Sequence, residues 1–256
     1  MIKDYNLNND WLQAMELEEF KIVPIPAKKL SAAKLTAVEK VAKAAPVANN
    51  DIVLNAREIA NKATSLEMLK GAVANFNGCG LKLGAANTVF SDGVSSAKIM
   101  LIGEAPGATE DEKGIPFCGE SGKLLDNMLA SVGLLRSKNF YVTNTVFWRP
   151  PANRAPTPEE IEICRPFVEK HIALIQPKLL ILVGSTAVTS LLGPSLQISK
   201  IRQEYYSYTN EYLAEPITTT AIFHPAYLLR QPMQKKTSWY DLLKIKDYAG
   251  SIGIAI

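Results

Sequence analysis

The sequence predicts an α/β fold built on a mostly parallel sheet of about four strands, covered by helices on both faces. Three observations carry that reading. Four short apolar runs recur from residue 98 onward, amphipathic helical patterns lie between them, and three of the runs end directly on a polar residue. Strands that are apolar throughout, rather than alternating, belong to sheets buried on both sides.

The elements follow in order. Lys98 to Gly103 (KIMLIG) is a buried strand running into a loop rich in Gly and Pro. Ser121 to Val132 is a helix with Leu124, Leu125, Met128, Leu129 and Val132 at helical spacing. Phe140 to Asn144 is the second strand. Thr157-Pro158-Glu159-Glu160 opens the next helix as a capping box with Pro at its first position. That helix turns Ile161, Cys164, Val168 and Ile175 inward, with a bend expected at Pro166. His171 sits in its middle as a surface or packing residue. Leu179 to Gly184 is the third strand, followed by a short helix that stops at Gly193. Thr220 to Phe223 is the fourth and runs into His224.

Upstream the character changes. Residues 27–50 hold eight Ala, five Lys and one Glu, with no aromatic, so they have little to bury. They read as a partly flexible tether joining an N-terminal helix (Asp10 to Phe20) to a single domain over residues 51–256. The chain has 256 residues, 47% hydrophobic and 21% charged, which supports a real core and excludes global disorder. No stretch approaches the ~20 apolar residues of a membrane helix. The first eleven residues are polar, and three widely spaced cysteines (Cys79, Cys118, Cys164) argue against a disulfide framework. A cytoplasmic protein is expected. The net charge of +3 is compatible with nucleic acid without being diagnostic.

In parallel sheets the site lies outside the carboxyl ends of the strands. Glu104, Asn144 and His224 are the polar residues just past three of them. Three motifs surround these positions. The first, Gly103 to Phe117 (GEAPGATEDEKGIPF), is far longer than the ~2–6 residues usual for such a connection. It matches no phosphate-loop pattern, its amides suit a carbonyl or phosphate, and Phe117 offers a flat face to a ring. An ordinary connection is the competing reading. The second, Thr143 to Arg154 (TNTVFWRPPANR), sets Arg149 and Arg154 on a rigid Pro-rich loop, where they suit phosphate oxygens or mere solvation. The third, Phe223 to Pro232 (FHPAYLLRQP), places an apolar tip of Tyr227, Leu228 and Leu229 beside Arg230. A wedge with a basic edge of this kind is used to prise base steps apart.

Taken in order, GEAPG, ED, G and PF, then TN, RPP and NR, then HPAYLLR resemble a family 4 uracil-DNA glycosylase of the uracil-DNA glycosylase superfamily, from about Phe76 to Leu243. The resemblance implies a three-layer α/β/α sandwich and a DNA repair enzyme that flips uracil out of DNA and hydrolyses its glycosidic bond. It implies that Phe117 stacks on the base and that Asn144 reads its edge. Glu110 would exclude the thymine methyl, and His224 would steady the departing anion. Leu228 takes the wedge position, while Arg149, Arg154, Tyr227 and Arg230 contact DNA. Gly103, Ala105, Pro106, Gly107 and Asp111 complete the substrate loop. Ala105 stands where the superfamily's best-known branch has Asp, so Glu104, or less favourably Asp111, is left to position water.

Family 4 enzymes typically hold a [4Fe–4S] cluster with four cysteines. The matching positions here are Phe76, Cys79, Trp148 and Cys164, so no cluster and no other metal is expected. Uracil-containing DNA is the expected partner of a monomer, with a repair or replication partner for residues 1–50. A catalytically weak DNA-binding scaffold of the same fold, and a nucleotide hydrolase using the Gly/Pro loop, are the competing functions.

Overall fold

The computed structural model describes residues 36–37, 50–202 and 204–256. The expected helix from Asp10 to Phe20 and nearly all of the expected tether lie outside them. One piece of that tether is described: strand β1 (Thr36–Ala37), which pairs in parallel with Tyr206 and Ser207.

Residues 50–256 contribute six further strands and nine α-helices among the described residues. The strands are β2 (Asp92–Gly93), β3 (Ile99–Gly103), β4 (Phe140–Asn144), β5 (Leu179–Val183), β6 (Tyr206–Tyr208) and β7 (Ile217–Ile222). They form one sheet in the order β1-β6-β7-β5-β3-β4-β2. The expected count of four is therefore too low. The four apolar runs are its parallel centre, β7-β5-β3-β4. The unforeseen strands are edges of two or three residues, and β2 and β6 pair antiparallel with β4 and β7.

Side chains alternate between two cores, as the period of two in a strand demands. Met100, Ile102, Leu180 and Leu182 point to one face, and Ile99, Leu101, Leu179 and Ile181 to the other, all fully buried. The first face is covered by α1 (Asn50–Lys62), α2 (Leu66–Asn75), α5 (Pro158–Ile175), α6 (Ser185–Leu192) and α7 (Ile198–Ile201). The second is covered by α4 (Glu120–Ala130), α8 (Pro225–Arg230) and α9 (Lys235–Ser251). The result is the three-layer sandwich. A short helix, α3 (Ala108–Lys113), lies in the loop after β3.

The faces follow from the crossover rule. The step from β3 to β4 runs one way along the sheet, and those from β4 to β5 and on to β7 run the other. Right-handed crossovers in opposite directions must use opposite faces, and α4 and α5 do so. The direction reverses between β3 and β5. A crevice opens there at the carboxyl ends of the strands.

Helix α5 begins at the expected capping box: Thr157 Oγ1 accepts from Glu160 N at 3.2 Å and Glu160 Oε2 from Thr157 N at 2.7 Å. It continues through Pro166 to Ile175 as one element. His171 is a packing residue. It is wholly buried, stacked on Phe90, and bonded through Nε2 to the Tyr141 hydroxyl at 2.8 Å. Burial drives its pKa down to about 3, so the ring is neutral in the folded chain.

Candidate active site

A cavity of about 810 Å³ fills the crevice. Glu104, Asn144 and His224, which follow or end β3, β4 and β7, all line it. The loop after β3 supplies Ala105, Pro106, Gly107, Glu110 and Phe117. Arg154, Tyr227 and Arg230 stand on its walls. The three sequence motifs thus converge on one space.

Asn144 is 1% exposed, yet its Oδ1 has no hydrogen-bond partner. An unpaired buried acceptor costs about 1–3 kcal/mol, and a ligand N–H can satisfy it. Gly103 does not reach the cavity but lies directly behind it. A Cβ on Gly103 would come within 2.3 Å of the Phe117 ring and 2.5 Å of Asn144 Oδ1. Glycine here lets an aromatic plate and an amide approach one another across the end of β3.

Phe117 is buried, with its ring 5.8 Å from that of His224 and tilted by 34°. His224 caps α8: its Nδ1 accepts from Ala226 N at 3.2 Å. That bond assigns the neutral tautomer, with the proton on Nε2 as the free donor. Burial pulls the His224 pKa below 6.5 and outweighs the opposing pull of the Glu104 carboxylate. At neutral pH the ring is therefore an uncharged donor.

Glu104 presents its carboxylate to the cavity, where Oε2 accepts from the Thr186 hydroxyl. Its carbonyl accepts from Thr145 Oγ1 at 2.6 Å. Glu110 also lines the cavity, with its oxygens bound by Gly107 N at 3.1 Å and Gly119 N at 2.8 Å. It closes the substrate loop on itself.

Other expected residues lie elsewhere. Asp111 turns away and lines nothing: its Oδ1 accepts from Ala86 N and Asn87 N at 2.9 and 3.1 Å. One step along α3 separates the two acids by about 100°, so only one of them lines the cavity. Leu228 is wholly buried, in the core cluster that also holds Phe117 and Leu125, and its neighbour Leu229, 38% exposed, is the apolar side chain at the surface. Leu228 anchors α8 instead of projecting from it. Arg149 is outside the lining and bonds Asn153 Oδ1 at 2.7 Å. Arg154 holds Glu160 with two bonds of 2.8 and 2.6 Å and depresses that carboxyl.

Sequence reasoning missed Gly184, Ser185, Ser121 and Asn153 as lining residues. For the first two a signal existed, because they follow β5 as Glu104 follows β3. Asn153 lay inside the second motif, beside Arg154, and nothing short-range marked Ser121.

None of the four positions matched to iron ligands lines the cavity. Cys79 and Cys164 are both buried, and the neighbouring Cys79 thiol together with burial pushes the Cys164 pKa up. Phe76 packs edge-on against Phe167 at 5.0 Å, and Trp148 Nε1 donates to Thr88 Oγ1 at 3.0 Å. Two thiols and two packed aromatics do not fit a cluster that needs four thiolates. Among the described residues no group of three or more His, Cys, Asp or Glu could hold a metal ion. No helix among them is long and apolar enough to cross a membrane.

Comparison with known proteins agrees with this geometry. Residues 90–244 match the family model described as the uracil DNA glycosylase superfamily. A type-4 uracil-DNA glycosylase of Sulfurisphaera tokodaii is 35% identical over 189 residues, 72% of this chain and 85% of that protein. One from Archaeoglobus fulgidus is 35% identical over 190 residues, 73% of this chain and 94% of that protein. One from Thermotoga maritima is 35% identical over 166 residues, 64% and 83% of the two chains. A family match over more than half of the chain, continued along nearly the full length of these relatives, places this protein in the uracil-DNA glycosylase superfamily.

Proposed function

We propose that this chain removes uracil from DNA by hydrolysing the N-glycosidic bond, as a base excision repair enzyme. The observation that carries the reading is the buried, unpartnered Oδ1 of Asn144, a residue that lines the cavity together with Phe117 and His224. Uracil offers an N3–H to that oxygen and an O4 to the amide NH2. Cytosine reverses both groups, so two buried contacts go unmade at about 1–3 kcal/mol each. The base reaches the cavity only after leaving the stack. Phe117 gives its face to the extruded ring, and Glu110, held by loop amides, stands as a rigid wall against a C5 methyl.

Bond cleavage leaves negative charge on the departing base. The Nε2–H of His224 meets that charge at O2 as a preorganised neutral donor, the oxyanion-hole kind of stabilisation. Glu104, with Oε2 engaged by Thr186, has Oε1 to orient the water that adds to the sugar. Arg154 and Arg230 at the cavity wall meet phosphates. Leu229 takes over the surface wedge role that buried Leu228 cannot fill.

The chemistry requires no metal, and we propose that the protein works without an iron–sulfur cluster. All three cysteines are unpaired thiols, which suits a reducing cytoplasm. Each role named above falls to a residue of one chain, so the proposed scheme needs no second copy.

A denaturing-gel assay of abasic-site formation on uracil, hypoxanthine and thymine oligonucleotides tests the activity. Uracil release with thymine untouched is the expected result, and no release from any substrate overturns the reading. Iron analysis of the same aerobically and anaerobically purified protein should give well under one iron per chain. Near four per chain, with broad absorption near 400 nm, would sink the cluster-free proposal.

A further inference from the structure

Phe117 is held in a conformation it would not choose. Its φ is +51°, in the left-handed region, where a bulky non-glycine residue costs about 1–3 kcal/mol unless its surroundings impose it. What imposes it is a single side chain from a distant loop. Arg136 Nη1 donates to Pro116 O at 2.8 Å and Nη2 to Phe117 O at 2.9 Å. The same guanidinium is itself clamped. Its Nε and Nη2 reach Asp126 Oδ1 on α4 at 3.1 and 2.9 Å, and Nη1 reaches Asp92 Oδ2 on β2 at 3.0 Å. The Arg136 side chain is 17% exposed, so these are largely shielded, charge-assisted bonds.

The other side of the Phe117 peptide is closed by α4. A Cβ on Gly122 would sit 1.8 Å from the Phe117 carbonyl oxygen, so only glycine admits that oxygen to the start of the helix. Carbonyl, helix and guanidinium form a cradle, and the ring is left with one direction to project: between Gly103 and His224.

We infer that Arg136 is a positioning residue for base stacking, which fixes the Phe117 ring by gripping two consecutive carbonyls of the substrate loop. The inference rests on the proposed uracil excision, because the ring matters only if a base lies on it. Arg136 lies outside the cavity and touches no reacting group. Its fork is the part lysine cannot copy: one ammonium cannot hold two carbonyls and Asp126 in a plane.

The experiment is a double-mutant cycle on single-turnover excision from a uracil oligonucleotide, with abasic-DNA affinity and thermal melting measured for every variant. Arg136→Gln should slow excision by about 10- to 10²-fold, the scale of a misplaced reacting partner, while abasic-DNA affinity holds. Arg136→Lys should recover only part of that rate. In a Phe117→Leu background the Arg136→Gln change should cost less than about twofold, since the ring it positions is gone. Asp92→Asn, which removes one rim partner and leaves both carbonyls gripped, should cost less than about twofold in the parent. Equal losses in both backgrounds, or full activity of Arg136→Gln, overturn the inference and leave the function standing. If the unsubstituted chain releases no uracil, both fall.

Discussion

His224→Ala lowers the single-turnover rate of uracil excision by about 10²–10³-fold, the usual effect of deleting one preorganised donor to a developing anion. DNA affinity should change little, because the proposed role brings the side chain to the base and not to the backbone. Two further measurements separate a catalytic role from a structural one. The substitution also removes the α8 cap, since Nδ1 no longer accepts from Ala226 N, and a lost cap costs about 0.5–2 kcal/mol of stability. His224→Gln can still present an N–H and should regain part of the rate with a similar loss of cap. The pH profile is the second measurement. Burial holds the ring's pKa below 6.5, so the neutral, competent form persists through neutral pH. As the medium is acidified through the folded pKa, Nδ1 gains a proton and confronts the Ala226 N–H it had accepted from. The cap breaks and excision should fall, and this acid limb should vanish in His224→Ala. An unaltered acid limb in the variant, or a rate within about threefold of the parent, removes His224 from the chemistry.

Why His224 was legible in the sequence and Arg136 was not comes down to where each residue's partners lie. The four central strands are buried on nearly every side chain, so β3 and β5 are apolar without interruption, β4 and β7 add only uncharged polar residues, and each carries an apolar run that can be recognised singly. Their carboxyl ends then point to Glu104, Asn144 and His224 by a rule that needs no contact information. The edges gave no such signal: Asp92–Gly93 and Tyr206–Tyr208 are too short to show a period. The phase of a short helix was also hidden. Six residues of α3 and six of α8 are too few to show which face is inward, so Asp111 beside Glu110 and Leu228 beside Leu229 could not be told apart. Arg136 is bound to residues 10, 20 and 44 positions away, and only the folded chain assembles them. Glu104, Asn144 and His224 sit at strand ends and announce themselves. The braces behind them are scattered.

Asn144→Ala should separate stability from activity in opposite directions. In the unliganded protein the amide oxygen is buried and unpaired, a cost that alanine removes. The melting temperature should therefore hold or rise, against the general tendency of substitutions at buried positions to destabilise. Excision should fall by about 10²–10⁴-fold, the equivalent of two lost contacts of ~1–3 kcal/mol each. Selectivity is the more searching readout. If the amide distinguishes uracil from cytosine by its donor and acceptor, its removal takes more from uracil than from cytosine, and the ratio of the two rates should narrow. Phe117→Leu, by contrast, should slow excision without narrowing that ratio, because a stacking face is indifferent to the polarity of the base edge. An Asn144→Ala protein that melts several degrees lower yet keeps both its rate and its preference would mark the side chain as scaffolding for β4. A stable protein that has lost both rate and preference would mark the unpaired oxygen as the group that reads the base edge. A reader of base edges must carry an unmet hydrogen bond until the right edge arrives, and the chain keeps that cost at the end of a strand rigid enough to bear it.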